Sequence, residues 1–320
     1  MANIIAVFGA TGAQGGGVVT ELLKDKGWSV RALTRNVNSP RARALRSQGA
    51  EVAFADLEDP STLPKAIEGS HAVFGVTDYW QYVANHGNVE AGNIETRQGI
   101  GLLGALARSP TLQHFIWSTL PGAIATSPND IQVPHMDSKN RVDKYLEQHY
   151  PDLLAKTTFL RVAWYAENLA WHDFFKPQKY NPGGQYIFVQ PCAPTTVIPM
   201  AGHVRKNTGT FVKAVLSHPE KSLPAKTAVV SLGFALSYPQ LLEIWKKVTG
   251  KKVTFLSCTK EAFASLYGDA GLELALQYEF MEKMGEKMMD HPDIVEPSDL
   301  GITQLVGIEE TLKELEGSWD

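Results

Sequence analysis

The chain has 320 residues, 44% hydrophobic and 20% charged, enough for one large or two coupled domains around a sizeable core and too apolar for a disordered chain. Its 30 Lys and Arg against 34 Asp and Glu leave a net charge of -4, a balance that does not draw the whole molecule onto nucleic acid or anionic lipid. Two cysteines, Cys192 and Cys258, exclude a disulfide framework and lack zinc-ligand spacing, so a reducing compartment is expected. Met1-Ala2-Asn3 runs directly into the apolar stretch Ile4 to Phe8 without a basic leader, and no apolar window of about 18 residues occurs. Neither a signal peptide nor a membrane span is expected, and the location expected is cytoplasmic, with nuclear entry open.

In chain order, Ile4 to Phe8 reads as the first strand, and Gly15 to Lys26 as a helix with Val18, Val19, Leu22 and Leu23 on one stripe. Ser29 to Leu33 is the second strand. Helix around Arg41 to Gln48 leads to a third strand at Val52 to Ala55, and helix around Ser61 to Glu68 to a fourth at Ala72 to Val76. A longer helix is predicted over Glu90 to Arg108, a fifth strand at His114 to Trp117, a helix over Lys139 to His149 and a sixth strand at Thr157 to Val162. This alternation is that of β-α-β units feeding a parallel sheet, and right-handed crossovers make it doubly wound.

Beyond about Trp164 the pattern changes to Pro, aromatic residues and long helical stretches such as Tyr238 to Thr249 and Gly271 to Met289. The expectation is an α/β Rossmann-type domain over residues 1–163 and a smaller, mainly helical C-terminal lobe over 164–320. The boundary is discontinuous, because Ala228 to Ser231 reads as a strand returning to the sheet and places about 226–237 with the first domain.

The strongest motif is Gly9-Ala10-Thr11-Gly12-Ala13-Gln14-Gly15, a G-x-x-G-x-x-G set between strand one and helix one. Its early glycines permit a tight turn and close approach of backbone N–H groups to a pyrophosphate. The last lets the helix pack against the strand, and the helix N-terminus adds positive potential. Gly9, Thr11, Gly12, Ala13, Gln14 and Gly15 are therefore candidate cofactor contacts. About 20 residues on, where an NAD site places an acid on the ribose 2′-hydroxyl, the chain reads Leu33-Thr34-Arg35-Asn36. No carboxylate is there to repel a phosphate, and the Arg35 guanidinium can fork onto one, so the cofactor expected is NADP(H). Asp56 reads equally as an acceptor for the adenine amino group and as a helix cap.

With these residues the chain resembles the NmrA-like family of atypical short-chain dehydrogenases/reductases over nearly its whole length. Val76-Thr77-Asp78-Tyr79-Trp80 is similar to the family's loop after strand four, Phe115 to Pro121 to its fifth strand, Pro134-His135-Met136-Asp137-Ser138-Lys139 to the opening of its next helix, and Tyr165-Ala166-Glu167-Asn168 to its turn after strand six. The resemblance adds Thr77, Tyr165, Asn168 and Lys139 to the cofactor contacts. It implies either a reductase or a non-catalytic NADP(H)-responsive regulator. One departure is Asn207-Thr208-Gly209, where relatives carry an Asp-containing turn.

The resemblance also makes Ser118, His135 and Lys139 the catalytic candidates. A strand-end Ser can donate to a carbonyl, and positions 135 and 139, one helical turn apart, can converge on one site. The parent superfamily has a Tyr where this chain has His135, and His is itself an acid near neutral pH. Tyr79, Trp80 and Tyr82 fall in the loop after strand four, where they can wall a nicotinamide. Trp164, Tyr165, Trp171, His172, Phe174 and Phe175 read equally as a cleft lining or a hydrophobic seam between lobes.

Metal catalysis has no support in the histidine spacing, Ser118 lacks the G-x-S-x-G elbow of a hydrolase, and no DNA-binding module is present. The partner expected is a small-molecule substrate or a regulatory protein, with no direct nucleic acid and no membrane.

Overall fold

In a computed structural model describing residues 2–126, 131–180 and 183–319, six strands come from the first half: β1 (Asn3–Val7), β2 (Trp28–Thr34), β3 (Glu51–Phe54), β4 (Ala72–Gly75), β5 (His114–Thr119) and β6 (Thr157–Val162). Eight follow: β7 (Trp164–Tyr165), β8 (Gln178–Tyr180), β9 (Gln185–Gln190), β10 (Val197–Gly202), β11 (Thr227–Val230), β12 (Ala235–Ser237), β13 (Val253–Ser257) and β14 (Ile294–Val295). The main sheet runs β14-β11-β6-β5-β4-β1-β2-β3, every neighbouring pair parallel. Chain order reverses across β1, which lies between β2 and β4, so a crevice opens at their carboxyl ends, where ligands bind in doubly wound sheets. Both the turn after β1 and the loop after β4 lie there.

Side-chain alternation along the buried strands divides the core in two. Ile5 and Val7 of β1, with Phe74 and Ile116, pack on one face with Val18, Val19 and Leu22 of the helix Ala13–Leu22. Ala6, Phe8, Val73, Phe115 and Trp117 pack on the other with Leu102, Leu103 and Leu106 of the helix Trp80–Leu106 and Val142 and Leu146 of the helix Pro134–His149. This period of two, with both faces apolar, is what a parallel sheet covered on both sides requires.

Gly15-Gly16-Gly17, compositionally a low-complexity run, is a packing surface. A Cβ on Gly17 would stand 2.0 Å from the Arg205 carbonyl oxygen, and one on Gly209 2.6 Å from the carbonyl oxygen of Gly17. The helices Ala13–Leu22 and Val204–Ser217 thus cross backbone to backbone.

Several expectations change. Trp80 and Tyr82 are not loop residues: helix starts at Trp80, with Tyr79 at its N-cap, and is broken at Gly87, whose φ is 72°, so the regular part resumes near the predicted Glu90. The pattern over Gly271 to Met289 belongs to the helix Lys260–Met284, broken at Gly268 and followed by a 3-10 turn at Gly285–Met289. β11 joins the main sheet beside β6, whereas β12 pairs with β10. β14 extends the main sheet beyond β11. The C-terminal region carries two three-stranded sheets, β12-β10-β7 and β13-β9-β8, beside its helices. Asn207 lies inside a helix, not in a turn. Its amide donates to the Ala201 and Val306 carbonyls (2.7 and 3.0 Å) and accepts from the Val306 N–H (2.9 Å). The carboxylate of that neighbourhood is Glu167, which accepts from the Val204 N–H at 2.9 Å.

Candidate active site

The turn after β1 is held by the Gly12 N–H donating to the Gly9 carbonyl (2.8 Å). Gly9 has φ 62°, a left-handed conformation natural to glycine. A Cβ on Gly15 would lie 2.4 Å from the Gly9 oxygen, so helix and strand meet as closely as backbone allows. The helix opens at Gly12 without a side-chain cap, so no side chain competes for the first-turn N–H groups that an anion site uses. Thr11 lies within this turn and Ala13 is the first residue of the helix. The Arg41 guanidinium, from the helix Pro40–Ser47, donates to the Thr11 carbonyl at 3.4 Å. No sequence signal marked Arg41, because a cation in a basic amphipathic helix reads as surface.

Arg35 follows β2 with a side chain 54% exposed. It donates to Gln81 Oε1 at 2.7 Å and lies 3.9 Å from Glu58 Oε1, which keeps it at the rim rather than free in solvent. Asp56 accepts from the Glu58 N–H at 3.0 Å in a local turn, and the cap of the following 3-10 helix Pro60–Thr62 is Asp59 instead.

Deeper in, Ser118 Oγ donates to Gln14 Oε1 (2.6 Å), and Gln14 Nε2 donates to the Tyr165 hydroxyl (2.7 Å). Burial raises the Tyr165 hydroxyl to about 12, so it stays protonated. The first helix is thereby tied to β5 and β7 through side chains expected at the cofactor and the reacting group. Asn168 is buried at the start of the short helix Asn168–Trp171.

Lys139 is also buried. Its ammonium donates to Thr77 Oγ1 at 2.8 Å and the Thr77 carbonyl at 3.1 Å, and pairs with Glu95 Oε1 at 2.9 Å. Glu95, 0% exposed, also accepts from Thr77 Oγ1 (2.8 Å) and Ser138 Oγ. Such a cage compensates the desolvation of both charges.

His135, 7% exposed, turns elsewhere. Its ring lies 5.1 Å from Trp80 and 5.9 Å from Tyr79, and its Nδ1 is 2.7 Å from Glu273 Oε1. One helical turn apart, His135 and Lys139 are thus each captured by a different buried carboxylate, and their side chains do not converge directly. Neither Glu95 nor Glu273 was singled out from the sequence, where one Glu in a helical pattern reads as a solvated face.

Asp78 lies close enough to Lys139 and Glu95 to feel their charges. It is exposed at its surface, yet enough protein surrounds it to raise its carboxyl above the usual range, against the pull of Lys139. The aromatic group divides: Tyr79 and Tyr82 are core residues, while Trp80 is half-buried over His135. The second cluster divides likewise. Trp164 and Phe175 pack edge to face in the core, whereas His172 stacks flat on Phe174, 6.3 Å from Trp80.

A doubly wound sheet with a glycine turn at its crossover point defines a protein of Rossmann type. The chain belongs to the NmrA-like family, whose model matches residues 1–311. It is 29% identical over 290 residues to an NmrA-like family domain-containing protein of Dictyostelium discoideum, covering 89% of each chain. It is also 29% identical to the NmrA-like family domain-containing oxidoreductase cpsB of Aspergillus campestris, covering 81% of this chain and 76% of that one. Among solved structures, NmrA, a negative transcriptional regulator in complex with NADP, superposes with a TM-score of 0.71 at 21% identity, covering 100% and 92% of the two chains. The Citrobacter sp. triphenylmethane reductase complexed with NADP(H) does so with 0.69 at 20% identity, covering 98% and 99%. The two likenesses show the fold.

Among the described residues no helix is long and apolar enough to cross a membrane, and no group of three or more His, Cys, Asp or Glu is gathered as a metal ion would need.

Proposed function

We propose that this chain binds NADP(H) and uses it to reduce a small carbonyl or related unsaturated substrate. The cofactor fits the residues present. The glycine turn is compact enough that a Cβ on Gly9 would strike Val76 and one on Gly15 the Gly9 carbonyl, the uncapped helix start supplies N–H donors, and Arg35 with Arg41 supplies cations for phosphate where an NAD site would have an acid. Bound there, NADPH supplies a hydride. The chain's own contribution is orientation and polarisation: Lys139 fixes a positive charge beside the loop after β4, Ser118 offers a hydroxyl at the end of β5, and His135 supplies a proton.

The observation that carries turnover is the pair of buried, carboxylate-held basic side chains, His135 and Lys139, on the helix Pro134–His149, an expensive arrangement in a protein that needs only to bind. A second reading, a non-catalytic NADP(H)-responsive regulator acting through a protein partner, is favoured by His135 standing where the parent superfamily has its Tyr. Such a switch requires different affinities for its two states.

Titration of the purified chain with NADP+, NADPH, NAD+ and NADH, followed by NADPH oxidation with menadione and 9,10-phenanthrenequinone, separates the readings. Binding of NADPH with turnover lost in Lys139→Ala and His135→Ala supports the reductase. A large affinity gap between NADP+ and NADPH without any turnover supports the regulator. Preference for the unphosphorylated pair removes Arg35 from its role.

A further inference from the structure

We propose that Glu273, on a helix of the C-terminal region, is the positioning residue that sets the tautomer and orientation of His135, making Nε2 the proton-carrying atom; this rests on the reductase reading. Glu273 comes from the helix Lys260–Met284, 138 residues away in sequence, and is 0% exposed. Its Oε1 accepts twice from one residue, from the His135 backbone N–H at 2.8 Å and from ring Nδ1 at 2.7 Å. A carboxylate can only accept, so Nδ1 carries the hydrogen and Nε2 gains and loses the second proton. With Tyr79 and Trp80 packed against the ring and the backbone held by the same oxygen, the imidazole has little freedom to turn over.

The second carboxylate oxygen shows that this is not an economical structural contact. Glu273 Oε2 is buried without a partner of good hydrogen-bond geometry, the Tyr79 hydroxyl being the group that reaches this carboxylate, and such an under-satisfied charged group costs stability that an apolar side chain there would not. The titratable group packed against the pair is Tyr79, which itself feels the charges of Glu95 and Asp269 as well as Glu273. Tyr79 is raised above its ordinary value by burial, then by the charges of Glu273, Glu95 and Asp269 and by a hydrogen bond to Glu273, so it remains a neutral phenol that leaves the imidazole as the proton carrier.

The chemistry balances. As a carbonyl carbon receives a hydride from the reduced dinucleotide, the C=O π pair passes to oxygen, and that oxygen takes the proton from Nε2. The product is an alcohol, and the neutral imidazole, still hydrogen-bonded through Nδ1 to Glu273, is reprotonated from solvent.

The test uses the full chain labelled with 15N-histidine, with two-dimensional NMR reading the tautomer and titration of His135. In the wild type the neutral ring should be the Nδ1–H form. Glu273→Leu should give mixed tautomers and lower the midpoint of the ring titration by about one pH unit. It should also reduce kcat for NADPH oxidation by 9,10-phenanthrenequinone about tenfold or more with the Kd for NADPH unchanged, and Glu273→Asp should restore part of the rate. Where Glu273→Leu does not fold, Glu273→Gln keeps the shape and removes the charge, and the midpoint must still fall. An Nε2–H tautomer in the wild type, or a midpoint unmoved in both variants, overturns the proposal. The NMR readout is independent of turnover, so a wild type that reduces neither menadione nor the quinone overturns the reductase reading while the positioning of His135 is decided separately.

Discussion

The turn that opens the first helix is one uninterrupted run, Gly9 to Gly15, whereas the surroundings of Lys139 and His135 are assembled from Thr77, Glu95 and Glu273 on separate elements. The first works through backbone: positive φ, close approach and unpaired N–H groups at a helix start. The second works through charge brought into a dry interior, where each ion depends on a counter-ion contributed from elsewhere. The two regions share the carboxyl edge of the sheet but should fail differently, one through steric exclusion and the other through an unpaired buried charge.

The largest effect expected is at the assembled face. Glu95→Ala leaves the Lys139 ammonium buried with Thr77 as its hydrogen-bond partner and no paired carboxylate, and breaking a buried pair by removing one partner costs about 3–5 kcal/mol. Urea unfolding should show this as a lower midpoint, and a wild-type midpoint would mean the pair contributes little.

Next come two buried groups with opposite pH signatures. His114, hydrogen-bonded to Thr158 at 2.8 Å, is pushed down to about 4 by burial. Its contribution to stability is full above its ordinary 6.5 and is lost as pH falls through 4. Asp143, which accepts from Trp117 and Thr119 at 2.8 and 2.7 Å, is pushed up to about 7 by burial. Its contribution is full below 3.8 and is lost as pH rises through 7. Each tenfold change in proton affinity between the folded and unfolded chain is worth about 1.4 kcal/mol, enough for a denaturation profile to register. His114→Gln should therefore flatten the acid side of the stability profile. Asp143→Asn should remove the decline toward neutrality, since an amide can accept from Trp117 and donate to Thr119. Denaturation midpoints measured from pH 4 to 8 check both, and parallel profiles for wild type and variants would refute them.

At the contiguous turn the cost is steric. Gly17→Ala drives a methyl into the Arg205 backbone, and overpacking of this kind costs about 1–3 kcal/mol, read as a lower Tm with a smaller change in dinucleotide Kd. Gly15→Ala, which collides with the turn itself, should instead abolish NADPH binding. The smallest effect belongs to the rim: Arg35→Ala should weaken NADPH about tenfold, the worth of about 1.5 kcal/mol for a hydrogen bond to a charged group, and leave NADH unchanged. Equal weakening of both would show that Arg35 does not read the 2′-phosphate.

The order and direction of the six leading strands were readable because apolar alternation and glycine punctuation are local signals spanning a few residues. The missing acid after β2 was readable for the same reason, and so was the turn. The start of the helix Trp80–Leu106 was not, because Gly87 breaks its periodicity and the aromatic run before it reads as loop. The packing role of Gly16 and Gly17 also stayed hidden, since it exists only with Arg205 and Gly209 on a helix far along the chain.

By itself the sequence determined a parallel, doubly wound sheet and the glycine turn at its crossover, because strand pairing, helix stripes and backbone sterics are decided over a few residues. Which carboxylate holds Lys139 and which holds His135 was decided by the tertiary structure alone. A charge is worth burying only opposite a partner, and the partners here, Glu95 and Glu273, reach their places only once helices far apart in sequence have packed over the same sheet edge.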